Sequence, residues 1–267
     1  MSSAELNKAG EPVVLTEVVG EHILIATINR PEVRNCINGA VANAIDAAVK
    51  RVEADDTLWV GILAGAGDKA FCAGADLSEI SAGRSHLLST TDGGFAGFTR
   101  HKRKKPWIAA VRGVAMGGGT ELALSSDMIV AGEGVRFGLP EVKRGLFAGA
   151  GGPFRLPRAI PRHIAFEMIA TGDPITAQRA YELGLVGHVV VDEAVRGEAI
   201  KLAESIVANA PVAVRESLAV ARIAAERRED ELWTISGETR SLVYSTDDAK
   251  EGPRAFLEKR PPRWTGR

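Results

Sequence analysis

The stretch Trp107 to Ser125, WIAAVRGVAMGGGTELALS, constrains this chain more than any other part of it. Ile108 to Val111 is an apolar run of strand length, and a short link carries it to Gly117, Gly118 and Gly119. Helix-forming Glu121, Leu122, Ala123 and Leu124 follow. The chain must therefore pass from strand to helix over three glycines. Glycine lets the backbone approach a ligand closely, and the start of a helix leaves N–H groups without intrahelical partners. Such a turn suits an anionic oxygen. With the carboxylate of Glu121 two residues past the glycines, it poses a catalytic hypothesis.

The remaining chain reads as alternating strands and helices. Val13–Val19 and His22–Asn29 form a hairpin across Gly20-Glu21, and Val41, Ile45, Ala48, Val49 and Val52 recur at helical spacing after Asn38. Val60–Ala64 is a buried strand. Phe71 to Asp76 leads into a short helix with Asp76 as its N-cap, and Ser81–Gly97, rich in Ser, Gly and Thr, reads as a mobile surface loop. Further strands fall at 128–131, 135–137 and 189–191, with helices at 164–170 and 177–183. A third glycine turn, Gly149 to Gly152, opens a short helix. From about Asp192 the pattern is helical, broken at Pro211 and near Thr246–Asp248. This order predicts an α/β core over 1–195 and a helical region over 196–267.

Composition excludes several classes. With 33 basic and 34 acidic residues among 267, no general attraction to nucleic acid or anionic membrane is expected. Two cysteines, Cys36 and Cys72, make neither a disulfide framework nor a zinc spacing. The five histidines show no ligand-pair spacing, so no metal is expected. MSSAELNKAGEP lacks the apolar run of a signal peptide, and charges or glycines interrupt every apolar run; a cytoplasmic location is the expectation. Gly65-Ala66-Gly67-Asp68-Lys69-Ala70 matches a loose dinucleotide fingerprint, but Gly74 follows too soon for a helix, so a plain turn is favoured. His101-Lys102-Arg103-Lys104-Lys105 reads as a solvated helix end rather than a nucleic-acid contact.

Taken singly, Glu121, Glu141 and Ala75 are ordinary helix and loop residues. Taken in order they are not independent: FCAGADLSEI, VAMGGGTELALSSD and FGLPEVKRGLFAGAGG resemble the three signature blocks of the crotonase (enoyl-CoA hydratase/isomerase) superfamily. The resemblance runs from about Val13 to the C-terminus. It implies a spiral of repeated ββα units and a C-terminal helical region that builds a homotrimer or a dimer of trimers.

By the same resemblance, Ala75 and Gly118 supply two backbone N–H groups that grip an acyl-CoA thioester oxygen as it becomes an enolate. Removing one such donor typically costs on the order of 3 kcal/mol in barrier. Glu121 and Glu141 fall where the hydratase branch keeps its glutamates, with Glu121 expected to activate water, aided by its helix N-terminus, and Glu141 to protonate the α-carbon. Ala73, Gly74, Asp76 and Gly117 flank the same substrate site. CoA arrives as part of the substrate, and no separate cofactor is implied.

Departures from the family pattern bear on the substrate. Glu32 replaces a common Lys after Arg-Pro, leaving Arg30 or Arg34 to meet CoA phosphate, while Phe256 and Lys259 retain the C-terminal residues that approach CoA. Ala148 and Pro153-Phe154 depart from the family beside the expected acyl pocket. Arg155-Leu156-Pro157, Ile160-Pro161 and the tail EGPRAFLEKRPPRWTGR are similar to carnitinyl-CoA dehydratases. The reading is reversible hydration of a trans-2-enoyl-CoA to a 3-hydroxyacyl-CoA, with carnitinyl-CoA dehydratase as the alternative. An isomerase, or a non-catalytic RNA- or acyl-CoA-binding member of the fold, ranks lower.

Overall fold

In a computed structural model of the chain, residues 6–267 are described. The first five residues, where the N-terminal segment read above begins, lie outside that range. Strands β1 (Val14–Val19) and β2 (Ile23–Ile28) pair antiparallel, as the hairpin reading expects. Helix α1 (Gly39–Ala54) starts where Asn38 accepts the N–H of Val41 at 3.0 Å, an N-cap that satisfies one orphan donor. Its periodic face, including Val41, Ile45, Val49 and Val52, is buried. Strands β3 (Val60–Gly65) and β4 (Ala70–Cys72) follow, then α2 (Leu77–Ser81), capped by Asp76 through the N–H of Ser78.

The segment expected to be a mobile surface loop is instead built in. It contains a 3-10 turn at Ser85–Leu88 and a small hairpin of β5 (Ser89–Thr90) and β6 (Gly94–Phe95). Leu88 and Ala96 within it are buried, as is Phe98 just beyond. Its polar composition hides these few apolar anchors.

Beyond it run β7 (Trp107–Val111), β8 (Val114–Met116), α3 (Gly118–Ser125), β9 (Met128–Gly132) and β10 (Arg136–Gly138). The link before the three glycines is thus itself a strand. After it come α4 (Gly152–Ala159), α5 (Arg162–Thr171), β11 (Ile175–Thr176), α6 (Ala177–Glu182) and β12 (His188–Val190). The main sheet has the order β1-β2-β3-β7-β9-β12, parallel from β2 onward. A second sheet, β11-β10-β8-β4, holds the turns that carry the site.

Both faces of the main sheet are covered, which explains why β7 is buried at all five positions. One face meets α1 and the α3 region, with Trp107, Leu63 and Leu122 in the same cluster. The other meets α7 (Val195–Val207) through Val195, Ala199 and Ala203. The helical region beyond residue 195 therefore begins with a helix that completes the sheet core. It continues through α8 (Pro211–Ile223), α9 (Glu229–Tyr244) and α10 (Asp248–Leu257). Arg222 on α8 ties this region back by bonding both carboxylate oxygens of Asp127, at 2.8 and 2.9 Å. Among the described residues, no helix is long and apolar enough to cross a membrane.

The basic run is a correction. Residues 101–105 are not a helix end, and Lys105 is buried. Its Nζ donates to the carbonyls of Val52 and Asp55 at 2.7 Å each. The N–H groups of Lys104 and Lys105 meet the carboxylate of Glu53. Arg103 donates to the carbonyls of Phe98 and Ser125. Lys105 does serve a helix C-terminus, but that of α1, some fifty residues earlier, while Arg103 meets the last residue of α3.

Candidate active site

Two glycine turns are pressed together at the head of α3. Gly117, with φ +56°, turns the chain in a region that side chains avoid. A Cβ on Gly119 would lie 1.9 Å from the carbonyl oxygen of Cys72, so β4 and α3 can approach only because that position is glycine. A Cβ on Gly74 would fall 3.1 Å from the nitrogen of Gly118. The Ala73–Asp76 loop and the start of α3 therefore sit side by side. The N–H groups of Ala75 and Gly118 donate to no acceptor among the described residues. Both residues line one cavity of ≈ 970 Å³.

The same cavity is lined by Ala73, Gly74, Asp76, Gly117, Glu121, Glu141 and Arg34. Glu121, 2% exposed, projects from the first turn of α3. Its Oε1 accepts the N–H groups of Ala150 and Gly152, both at 2.8 Å. Glu121 does stand in the first turn of its own helix, and the donors that hold its carboxylate come from the start of α4, which the sequence did not indicate. Arg155 braces the loop: its guanidinium donates to the carbonyls of Ala150 at 2.9 Å and Thr99 at 2.6 Å.

Glu141 lies on the 3-10 turn Pro140–Arg144. A Cβ on Gly117 would stand 3.0 Å from its Oε1, and its Oε2 is buried without a hydrogen-bond partner among the described residues. Burial raises the pKa of both carboxyls. For Glu121 the value reaches about 7, as burial and the charge of Glu141 outweigh the two N–H donors that lower it. Two carboxyls with raised pKa on one cavity can divide proton acceptance and donation near neutral pH.

Three expected substrate contacts are elsewhere. Arg30 is committed to Asp76, at 3.1 Å from Oδ2, and to the carbonyl of Cys36 at 2.7 Å. It does not line the cavity, whereas Arg34 does. Phe256, 83% exposed, and Lys259 lie at the end of α10, away from the cavity within one chain. Ala148 is buried and Phe154 exposed, and neither lines it. Sequence reasoning missed Phe95, Thr99 and Arg100, which do. Arg155 stood out only as a branch marker; nothing local signals its bracing role.

A profile of the enoyl-CoA hydratase/isomerase family matches residues 19–267. The chain belongs to this family. An enoyl-CoA hydratase of Mycobacterium tuberculosis is 40% identical over 262 residues, covering 96% of this chain and 97% of that protein. A carnitinyl-CoA dehydratase of Salmonella enteritidis is 39% identical over 250 residues, covering 92% and 95%. The crystal structure of an enoyl-CoA hydratase from Mycobacterium marinum superposes with a TM-score of 0.92 at 46% identity, covering 96% of this chain and 100% of that one. The crotonase-type α/β fold expected from the three signature blocks is the fold observed.

Proposed function

We propose that this family member hydrates a trans-2-enoyl-CoA reversibly to a 3-hydroxyacyl-CoA. The observation that carries the reading is the pair Glu121 and Glu141, both with raised pKa, on one cavity beside two unpaired backbone N–H groups. In this mechanism the N–H groups of Ala75 and Gly118 hold the thioester oxygen. Negative charge developing there is stabilised by donors already in place. Glu121 has Oε1 held by Ala150 and Gly152, and Oε2 takes the proton of a water as its oxygen bonds to the β-carbon. Glu141, whose Oε2 has no hydrogen-bond partner among the described residues, gives its proton to the α-carbon. Water thus adds across the double bond, and exchange with solvent returns each carboxyl to its starting state.

No cofactor takes part in this scheme, and CoA enters as part of the substrate. Arg34, on the Ala73 side of the cavity, is the candidate contact for CoA phosphate. Assembly as a homotrimer or dimer of trimers, in the cytoplasm, belongs to the same proposal. Exposed Trp233, Tyr244, Phe256 and Leu257 on α9 and α10 support an interface there.

The similarity to a carnitinyl-CoA dehydratase supports a rival reading with the same chemistry, in which the acyl group is crotonobetainyl. The test is hydration of crotonyl-CoA and crotonobetainyl-CoA by wild type, Glu121→Gln and Glu141→Gln. Each variant should lose at least about a hundredfold in kcat. Failure of wild type on both thioesters, or full activity in both variants, overturns the reading.

A further inference from the structure

Resting on the hydratase reading, we propose that Arg100 selects acyl groups carrying a carboxylate beyond the double bond and rejects those carrying a quaternary ammonium. Arg100 is exposed and lines the cavity. Its backbone is pinned: its N–H donates to the carbonyl of Gly93 at 2.8 Å, and the preceding carbonyl, of Thr99, is held by Arg155. The side chain lies over Gly94, where a Cβ would fall 2.7 Å from its Cγ and Cδ. Glycine there gives the arginine stem its place.

The guanidinium has no hydrogen-bond or ion-pair partner among the described residues. Asp46, which packs against Gly97, and Asp92, which precedes Gly93, are both taken by Lys50, at 2.8 Å each. The other cavity cations are placed differently. Arg34 adjoins Ala73, Lys143 pairs with Asp173, and Arg144 acts on Glu141. Arg100 is thus an uncommitted cation on the Thr99 wall.

Position links that wall to the acyl group. Arg155 joins the carbonyl of Thr99 to that of Ala150, whose N–H holds Glu121. A thioester oxygen held by Ala75 and Gly118 leaves CoA toward Arg34 and the Ala73 loop. With the α- and β-carbons facing the two glutamates, later carbons run past Glu121 toward Thr99 and Arg100. A carboxylate there can accept two parallel N–H bonds from the guanidinium, whereas a trimethylammonium group is repelled and can accept none.

Three matched thioesters test this: crotonyl-CoA, glutaconyl-CoA with a carboxylate at the far end, and crotonobetainyl-CoA with a quaternary ammonium there. For wild type, kcat/KM for glutaconyl-CoA should exceed that for crotonobetainyl-CoA by about tenfold or more, allowing for solvent screening. The ratio should shrink as salt is raised. Arg100→Gln should bring it to within about threefold of one, and Arg100→Lys should retain most of it. Turnover of crotonyl-CoA with a wild-type ratio at or below one overturns the inference alone. So does a ratio unchanged in Arg100→Gln or insensitive to salt. Turnover of none of the three removes the hydratase reading, and this inference with it.

Discussion

Glu121 Oε1 accepts the N–H of Gly152 at 2.8 Å across 31 residues of sequence. That bond sets the first residue of α4 against a carboxylate on α3, and the N–H of Ala150 doubles it. One oxygen is fixed, and the other has no hydrogen-bond partner among the described residues. The anionic form gains two donors, yet burial outweighs them and the pKa stands at about 7.

A pH dependence follows, with a defined sign. Glu121 must be ionised, so kcat/KM should rise with pH through about 7, and it should fall again where Glu141, which must hold its proton, ionises. Stability runs the other way. The folded chain binds this proton more tightly than the unfolded chain, whose carboxyl titrates near 4.5. Stability is therefore lost as pH rises from about 4.5 to about 7, and the loss is complete above that. Glu121→Gln should be more stable than wild type above pH 7, by up to about 3 kcal/mol, with the gap closing toward pH 4.5. Urea denaturation across this range measures it; a gap independent of pH would refute the assignment.

Glycine tolerance should differ sharply between two helices. Gly119→Ala places a carbon 1.9 Å from the Cys72 carbonyl and must push β4 from α3. A loss of about 3 kcal/mol is expected, with reduced kcat because the donor of Gly118 moves with the turn. Gly197→Ala, in α7 with nothing within 4 Å, should instead gain up to about 1 kcal/mol. Thermal melts of the two variants beside wild type decide the point.

Lys105 should behave as a structural cation. Lys105→Met leaves the carbonyls of Val52 and Asp55 without their donor and should cost about 1–3 kcal/mol. If the basic run served nucleic acid instead, the variant would keep its urea midpoint and lose salt-sensitive RNA binding.

Much of the architecture was legible in the residues because its signals are local. The α1 stripe from Val41 to Val52, which begins after Asn38, lies within a few turns of helix. So do the Asp76 cap and the position of Pro211 at the start of α8. The reading failed where a few apolar anchors sit in polar sequence, as at Leu88 and Ala96. It failed again where two strands flank a tight turn, so that β8 passed for a link.

By itself, the order of Ala75, Gly118, Glu121 and Glu141 within three glycine-bearing blocks determined the family, because each block's spacing is a property of one short segment. Only the tertiary structure decided which cations and carboxylates are spent. It commits Arg30 to Asp76, Lys105 to the end of α1 and Arg222 to Asp127, and leaves Arg34 and Arg100 on the cavity. Charges act over a few ångströms of space whatever their separation along the chain, so partner choice is invisible until the chain is folded.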